Sequence, residues 1–322
     1  MTVYATIDLG GTKIAGALAT VEGAIVAERT VPTQSYEGPR AVIERIGALV
    51  NELAADYGER PAALGMGIPG NATAAGEVIF LPNLAGNWRD VPARAWLEPM
   101  IGCPVALLND VRMATLGELV YGHGITTPTL AFFAIGTGIG GGFAYDGHLY
   151  MAAGGVNSEF GHHTILPDGP RCGCGSRGCL ETLCSGPAIT AEGVRLLLTG
   201  QTTVLYTLVD GDTGRVNPRT MAEAAAQGDT AVREVLGRAS EYLGIAVSNV
   251  IAFFHPPLVV LGGGVVGTGA IDFDTVRATV RARVQMFPVD DVRIEESLLG
   301  TRAGMLGGVA LAAQRGIAWG RT

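Results

Sequence analysis

A strand, a glycine turn and a second strand occur twice in this chain, and that repetition limits the fold more than any other feature. Val3 to Asp8, Gly10-Gly11-Thr12, Ile14 to Ala19, Glu22-Gly23 and Ala24 to Thr30 alternate short apolar runs with turns, the pattern of an antiparallel meander. Thr129 to Ile135 starts a second copy roughly 128 positions later. It continues with Gly136 to Gly142, Phe143 to Tyr145, Asp146-Gly147 and His148 to Tyr150. Self-similarity at so long a period predicts two copies of one α/β unit, not a short-period solenoid. Each copy would offer one glycine turn to a shared cleft.

Length agrees: 322 residues exceed what one hydrophobic core usually serves, so a two-lobed α/β enzyme is expected. The apolar positions Val42, Ile43, Ile46, Leu49, Val50 and Leu53 carry the helical period over residues 39 to 57, with Gly58 as the stop. Leu64 to Ile68 and Pro104 to Leu108 are short buried strands, the second followed by Asn109-Asp110 and a helical pattern from Val111 to about Tyr121. Polar groups at such strand ends face the ligand crevice of open α/β sheets. Gly122 to Pro128 is expected as a hinge. The expected domains are a small lobe of residues 1–122 with a C-terminal helix at about 301–322, and a large lobe of 123–300 holding a metal loop at 159–181. Residues 187 to about 254 are expected to be mainly helical, Leu258 to Leu261 a strand, and Gly304 to Gln314 the last helix.

A net charge of −8 without a long basic run gives no footprint for nucleic acid or an acidic membrane surface, which leaves small molecules as partners. Neither a cationic–apolar leader nor an apolar stretch long enough to span a bilayer occurs, so the expected location is cytoplasmic. Three of the five cysteines crowd into residues 172–179, which suits a metal in a reducing compartment better than disulfides. Cys103 and Cys184 are expected as small buried apolar residues. Glycine supplies 48 residues, about twice the usual ~7 %, in clusters after apolar runs. The single lysine, Lys13, lies inside one of those glycine-rich turns, against 21 arginines elsewhere.

Asp8-Leu9-Gly10-Gly11-Thr12-Lys13 places a carboxylate at a strand end, then backbone N–H groups, a hydroxyl and a cation, a kit suited to phosphates and magnesium. Five glycines among Gly136 to Gly142 weaken a purely structural hairpin, and Gly262-Gly263-Gly264 adds a third glycine run after a strand. Together the three point to a nucleotide, although neither the Walker nor the dinucleotide pattern is present. Asp110 is the candidate base for transfer of a phosphoryl group to a hydroxyl. The alternative at that point is an Asn109-Asp110 pair that caps the following helix. His162, Cys172, Cys174 and Cys179 form H-x9-C-x-C-x4-C, a donor set for closed, structural tetrahedral zinc. Spacing alone leaves His163 as an alternative ligand. Glu159 and Glu181 flank the loop, either as acceptors for sugar hydroxyls or as solvated loop charges.

These residues resemble the ROK group (repressors, open reading frames and kinases), in particular its bacterial glucokinases. The resemblance runs over nearly the whole chain. It rests on Asp8 to Lys13, Gly67-Ile68-Pro69-Gly70, Pro82-Asn83-Leu84 with Trp88, Asn109-Asp110, Gly136 to Gly142, Glu159-Phe160-Gly161-His162, Cys172-Gly173-Cys174-Gly175 to Cys179-Leu180-Glu181, and Gly262 to Gly264. It implies the actin-like two-lobed fold shared with hexokinases and heat-shock chaperones, with sugar and Mg-ATP meeting in the cleft. It further implies that Asp110 activates the sugar 6-hydroxyl, and that Asn83, Asn109, Glu159, His162 and Glu181 hold the other hydroxyls. His162 would touch both zinc and sugar, which selects it over His163. Asp8 would sit near Mg2+, Gly10, Gly11, Thr12, Lys13, Gly136, Thr137 and Gly138 near the phosphates, and Gly262, Gly263 and Gly264 near the adenosine. Relatives suggest a homo-oligomer, a dimer or tetramer.

Two positions depart from the pattern: Arg112 where many relatives have Asn, and Ser158 where they have Gly. Changes beside a pocket alter sugar choice without altering the reaction type. Glucose is the expected substrate, with mannose, fructose, allose and N-acetylmannosamine as alternatives, and polyphosphate as an alternative donor to ATP. A sugar-sensing repressor would need a DNA-binding domain ahead of Asp8.

Overall fold

The computed structural model describes residues 1–81, 84–152 and 157–317. It contains two five-stranded sheets of the same topology. The chain divides into two compact units, Met1–Thr129 with Gly142–Asn157 and Thr301–Thr322, and Leu130–Gly141 with Ser158–Gly300.

In the first unit, β1 (Val3–Leu9), β2 (Lys13–Thr20) and β3 (Ile25–Pro32) form the expected meander. After α1 (Pro39–Tyr57) comes β4 (Leu64–Ile68), which pairs parallel to β1. A small hairpin of β5 (Asn71–Ala72) and β6 (Val78–Phe80) and helix α2 (Ala93–Ile101) precede β7 (Val105–Asn109), which closes the sheet order β3-β2-β1-β4-β7. Helix α3 (Asp110–Tyr121) follows directly. Buried Val42, Ile43, Ile46, Leu49, Val50 and Leu53 make one face of α1, as their spacing predicts, and Gly58 ends the helix in the left-handed region at φ 86°. Ala5, Ile7 and Leu9 are fully buried on one face of β1 and Thr6 is buried on the other, in keeping with a central strand covered on both sides.

The other unit and its flanking segments contribute β8 (Leu130–Ile135), β9 (Ile139–Tyr145) and β10 (His148–Leu149). Next come α4 (Glu181–Cys184), α5 (Gly186–Leu198), α6 (Val204–Leu208), α7 (Pro218–Ala226) and α8 (Thr230–Phe254). The parallel strand β11 (Leu258–Gly262), helix α9 (Phe273–Arg283) and the parallel edge strand β12 (Arg293–Glu296) complete the order β10-β9-β8-β11-β12. Cys103 and Cys184 are buried, as expected.

The first unit runs past residue 122 to Thr129, takes in Gly142–Asn157 and includes the chain from Thr301. Residues 123–129 stay with the first unit, and His123–Ile125 fold as a 3-10 turn on the end of α3, where Gly122 N–H donates to the Glu118 carbonyl and His123 N–H to Glu118 Oε1 at 3.1 Å. A Cβ on Gly142 would lie 2.0 Å from Thr115 Oγ1 of α3, so that stretch also packs with the first unit.

The last helix, α10 (Ala303–Ala312), packs backbone to backbone. A Cβ on Gly307 would stand 1.7 Å from the Met113 carbonyl oxygen, and one on Gly65 2.0 Å from that of Gly308. Glycines that weaken an isolated helix by about 1 kcal/mol each are required here by the close approach to α3 and β4. No helix among the described residues is long and apolar enough to cross a membrane.

Candidate active site

The parallel register of β1, β4 and β7 brings three of the chemically interesting segments of the first unit to one sheet edge. Asp8 pairs with Gly67, and Ile68 with Asn109, so all lie at the carboxyl ends of adjacent strands. Asp8 is half-buried, and burial pushes its carboxyl above the ordinary value while Lys13 pulls it partly back. The α10 helix starts beside it: a Cβ on Gly304 would be 4.0 Å from Asp8 Oδ2. Nothing local in the sequence marks that approach across nearly the whole chain.

Between β1 and β2 the turn is closed by Gly10 N–H donating to the Lys13 carbonyl at 3.0 Å. Thr33, beyond β3, braces it twice, through its N–H to the Thr12 carbonyl (3.0 Å) and its Oγ1 to the Gly10 carbonyl (2.7 Å). The amides of Gly11 and Thr12 have no partner among the described residues, which leaves two adjacent donors for an anion. Thr33 was not foreseen, because a buried threonine after a strand carries no sequence mark of its own.

Asn109 does cap α3, its Oδ1 accepting from the N–H groups of Val111 (3.1 Å) and Arg112 (3.2 Å) while its Nδ2 donates to the Gly70 carbonyl. The second Nδ2 hydrogen has no partner among the described residues, which leaves a donor for a ligand. Asp110 is the first residue of α3, with Oδ1 accepting from Val111 N–H at 2.8 Å. Capping and catalysis are thus compatible: the cap locks the strand-to-helix corner on which the Asp110 carboxylate stands. Arg112 is buried and donates to Asn71 Oδ1 (3.0 Å) and to the Asn157 carbonyl (2.8 Å). Asn83 lies outside the described residues.

Beyond β8, the turn of Gly136, Thr137 and Gly138 is closed by Gly136 N–H to the Gly138 carbonyl at 2.9 Å, and Gly186 N–H at the start of α5 holds the Gly136 carbonyl at 2.8 Å. Ile139 N–H donates to Glu181 Oε2 at 2.9 Å. Again two adjacent amides, of Thr137 and Gly138, have no partner among the described residues. Gly262 ends β11, and Gly263 and Gly264 follow it beside the same strand end: Gly263 has φ 93°, its Cβ would be 2.4 Å from the Ile135 carbonyl, and Val265 N–H donates to that oxygen.

Glu159 is exposed and its carbonyl accepts from His162 N–H. Ser158 before it sits at φ 59°, in the left-handed region, which accounts for a glycine preference at that position. His162, Cys172, Cys174 and Cys179 present one donor atom each, all within 4.8 Å of one another. Cys174 and Cys179 sulfurs are 3.7 Å apart, and Cys172 Sγ is 3.5 Å from His162 Nδ1. A tetrahedron with Zn–S bonds of ~2.3 Å has edges of about 3.8 Å, so the donors fit zinc and are too far apart for a disulfide. Burial, with the neighbouring thiols, pushes the Cys179 thiol up to about 12, so a metal must displace its proton. His163 turns elsewhere, with Nδ1 2.5 Å from the Phe160 carbonyl, and takes no part in the cluster.

With that geometry in place, the comparisons with known proteins agree. Residues 4–315 match the ROK family. A glucokinase of Thermotoga maritima is 32 % identical over 313 residues, covering 96 % of both chains. The crystal structure of a ROK family glucokinase from Streptomyces griseus in complex with glucose and AMPPNP superposes with a TM-score of 0.82 at 31 % identity, covering 97 % of this chain and 99 % of that one. A xylose repressor of Bacillus spizizenii is 27 % identical over 94 % of this chain and 74 % of its own length. The chain belongs to the ROK family, and its fold is the actin-like α/β fold of the ROK kinases.

Proposed function

We propose that this chain, an ATP-dependent sugar kinase, transfers the γ-phosphoryl group of Mg-ATP to the 6-hydroxyl of glucose. The observation that carries the reading is Asp110: a carboxylate fixed on a capped strand-to-helix corner, on the sheet edge that also holds Asp8. Asp110 orients the hydroxyl and takes its proton as the oxygen attacks the γ-phosphorus; the bond from that phosphorus to the β,γ-bridging oxygen breaks and ADP leaves. Asp8 would hold Mg2+, whose charge would offset that of the phosphates, and the paired amides of Gly11 and Thr12 and of Thr137 and Gly138, unpartnered among the described residues, receive phosphate oxygens. Lys13 adds a cation beside the first turn, and Gly262 to Gly264 line the adenosine. Asn83, Asn109, Glu159, His162 and Glu181 hold the remaining sugar hydroxyls. Zinc on His162, Cys172, Cys174 and Cys179 serves a structural role, shaping the sugar side of the site. The glucokinase relatives support glucose over other hexoses.

The test is ADP release with Mg-ATP and a panel of hexoses, native protein against Asp110→Asn. Glucose-dependent turnover that falls by about three orders of magnitude in the variant is the expected result. Turnover with another sugar alone would move the specificity; none with any sugar would overturn the kinase reading.

A further inference from the structure

The carboxylate of Glu181 does more than face a sugar. It is the first residue of α4, two positions after Cys179, and its Oε2 accepts the Ile139 N–H at 2.9 Å. A Cβ on Gly138 would stand only 2.5 Å from the same oxygen. Gly138 is outside the left-handed region, so a side chain there is opposed by this contact alone, and could be placed only by pushing the Glu181 carboxylate off the turn. We propose that Glu181 is a positioning residue for the glycine turn 136–138, fixing the 138–139 peptide so that the Thr137 and Gly138 amides stay directed to a phosphate.

The donor inventory of the turn supports this. Gly136 N–H is used by the Gly138 carbonyl and Ile139 N–H by Glu181, and among the described residues the two amides between them have no partner. Without Glu181 the Ile139 N–H would need another acceptor, and a phosphate oxygen would compete for it in an altered turn. A carboxylate beside an anion site would repel the ligand. Here one of its oxygens is engaged by a backbone donor, and the gain in turn order is expected to outweigh that repulsion. The inference rests on the reading of this turn as a phosphate site and extends it, because it assigns Glu181 to the nucleotide side as well as to the sugar side.

The experiment is a double-mutant cycle read by titration calorimetry with AMPPNP and Mg2+ in the absence of sugar, and separately with glucose in the absence of nucleotide. Glu181→Ala should weaken AMPPNP by about tenfold, the size of one unsatisfied buried N–H, whereas Glu181→Gln, whose amide oxygen still accepts, should restore most of the affinity. Gly138→Ala should also weaken AMPPNP, and should cost much less in the Glu181→Ala background, because the obstructing oxygen is gone. Should the alanine variant fail to fold, Glu181→Asp, which draws the carboxylate back by one methylene, gives the same comparison. AMPPNP affinity unchanged in Glu181→Ala, with glucose binding lost, would overturn the proposal and leave Glu181 a sugar ligand alone. Equal costs of Gly138→Ala in both backgrounds would overturn it too. A native protein that binds glucose but no AMPPNP would instead sink the phosphate reading on which the proposal stands.

Discussion

The two glycine turns have the same place in sheets of the same order, yet different neighbours brace them. The turn after β1 is held by Thr33, which follows the eight-residue strand β3. The corresponding third strand of the second sheet, β10, is only two residues long. There the turn is held from the helical side instead, by Gly186 of α5 and Glu181 of α4. Both solutions leave two consecutive amides without partners among the described residues. The two copies thus share the turn and its pair of adjacent amides, while the bracing comes from a residue after the third strand in the first and from residues of α4 and α5 in the second.

The strongest way to break this comparison is Cys179→Ser. Loss of this proposed zinc ligand should lower the melting temperature and raise hydrogen exchange across residues 136–142 and 158–186, because α4 begins two residues later. The β1–β2 turn should keep its protection. Equal loosening of both turns would show that their supports are not separate. Zinc affinity should fall as pH is lowered, since the buried Cys179 thiol holds its proton up to about 12 and metal must displace it; metal titrations across pH measure this.

Asp8→Asn tests the cost of the first copy's carboxylate. Its folded pKa is raised by burial, so the native state binds the proton more tightly than the unfolded chain. The destabilisation is absent below the unfolded pKa and complete above the folded one. Without nucleotide the variant should therefore melt higher than the native protein at neutral pH, with the difference vanishing in acid, and should lose Mg-ATP turnover. A lower melting temperature at neutral pH would contradict this account.

Thr33→Val removes one brace of the first turn and keeps the side-chain shape. A loss of about 1 kcal/mol, near fivefold in ATP affinity with sugar affinity unchanged, is expected from titration of each ligand. The smallest effect belongs to Ser158→Gly, which relieves a left-handed residue worth about 1 kcal/mol against the greater freedom of glycine in the unfolded chain. Denaturant melts should show a gain of at most about 1 kcal/mol.

Much of the site was legible because its signals are local. Glycines after apolar strands, Asn109-Asp110 at a strand end and the spacing of His162, Cys172, Cys174 and Cys179 need only neighbouring residues to be recognised, and each lies in a short segment. The same locality placed α1 and the strands of the first meander. It did not reveal α9, whose few apolar positions lie among arginines, or β12, β5 and β6, which at two to four residues are too short to show a period.

Sequence alone determined the duplicated α/β plan and the types of chemistry available, since strand period, turn composition and ligand spacing are written along the chain. Only the tertiary structure decided why Gly65 and Gly307 admit no side chain and what braces each turn. Those outcomes depend on backbone approaches between residues as distant as Gly65 and Gly308 or Ile139 and Glu181, where hard-core repulsion and a single hydrogen bond act across space and leave no periodic mark in the sequence.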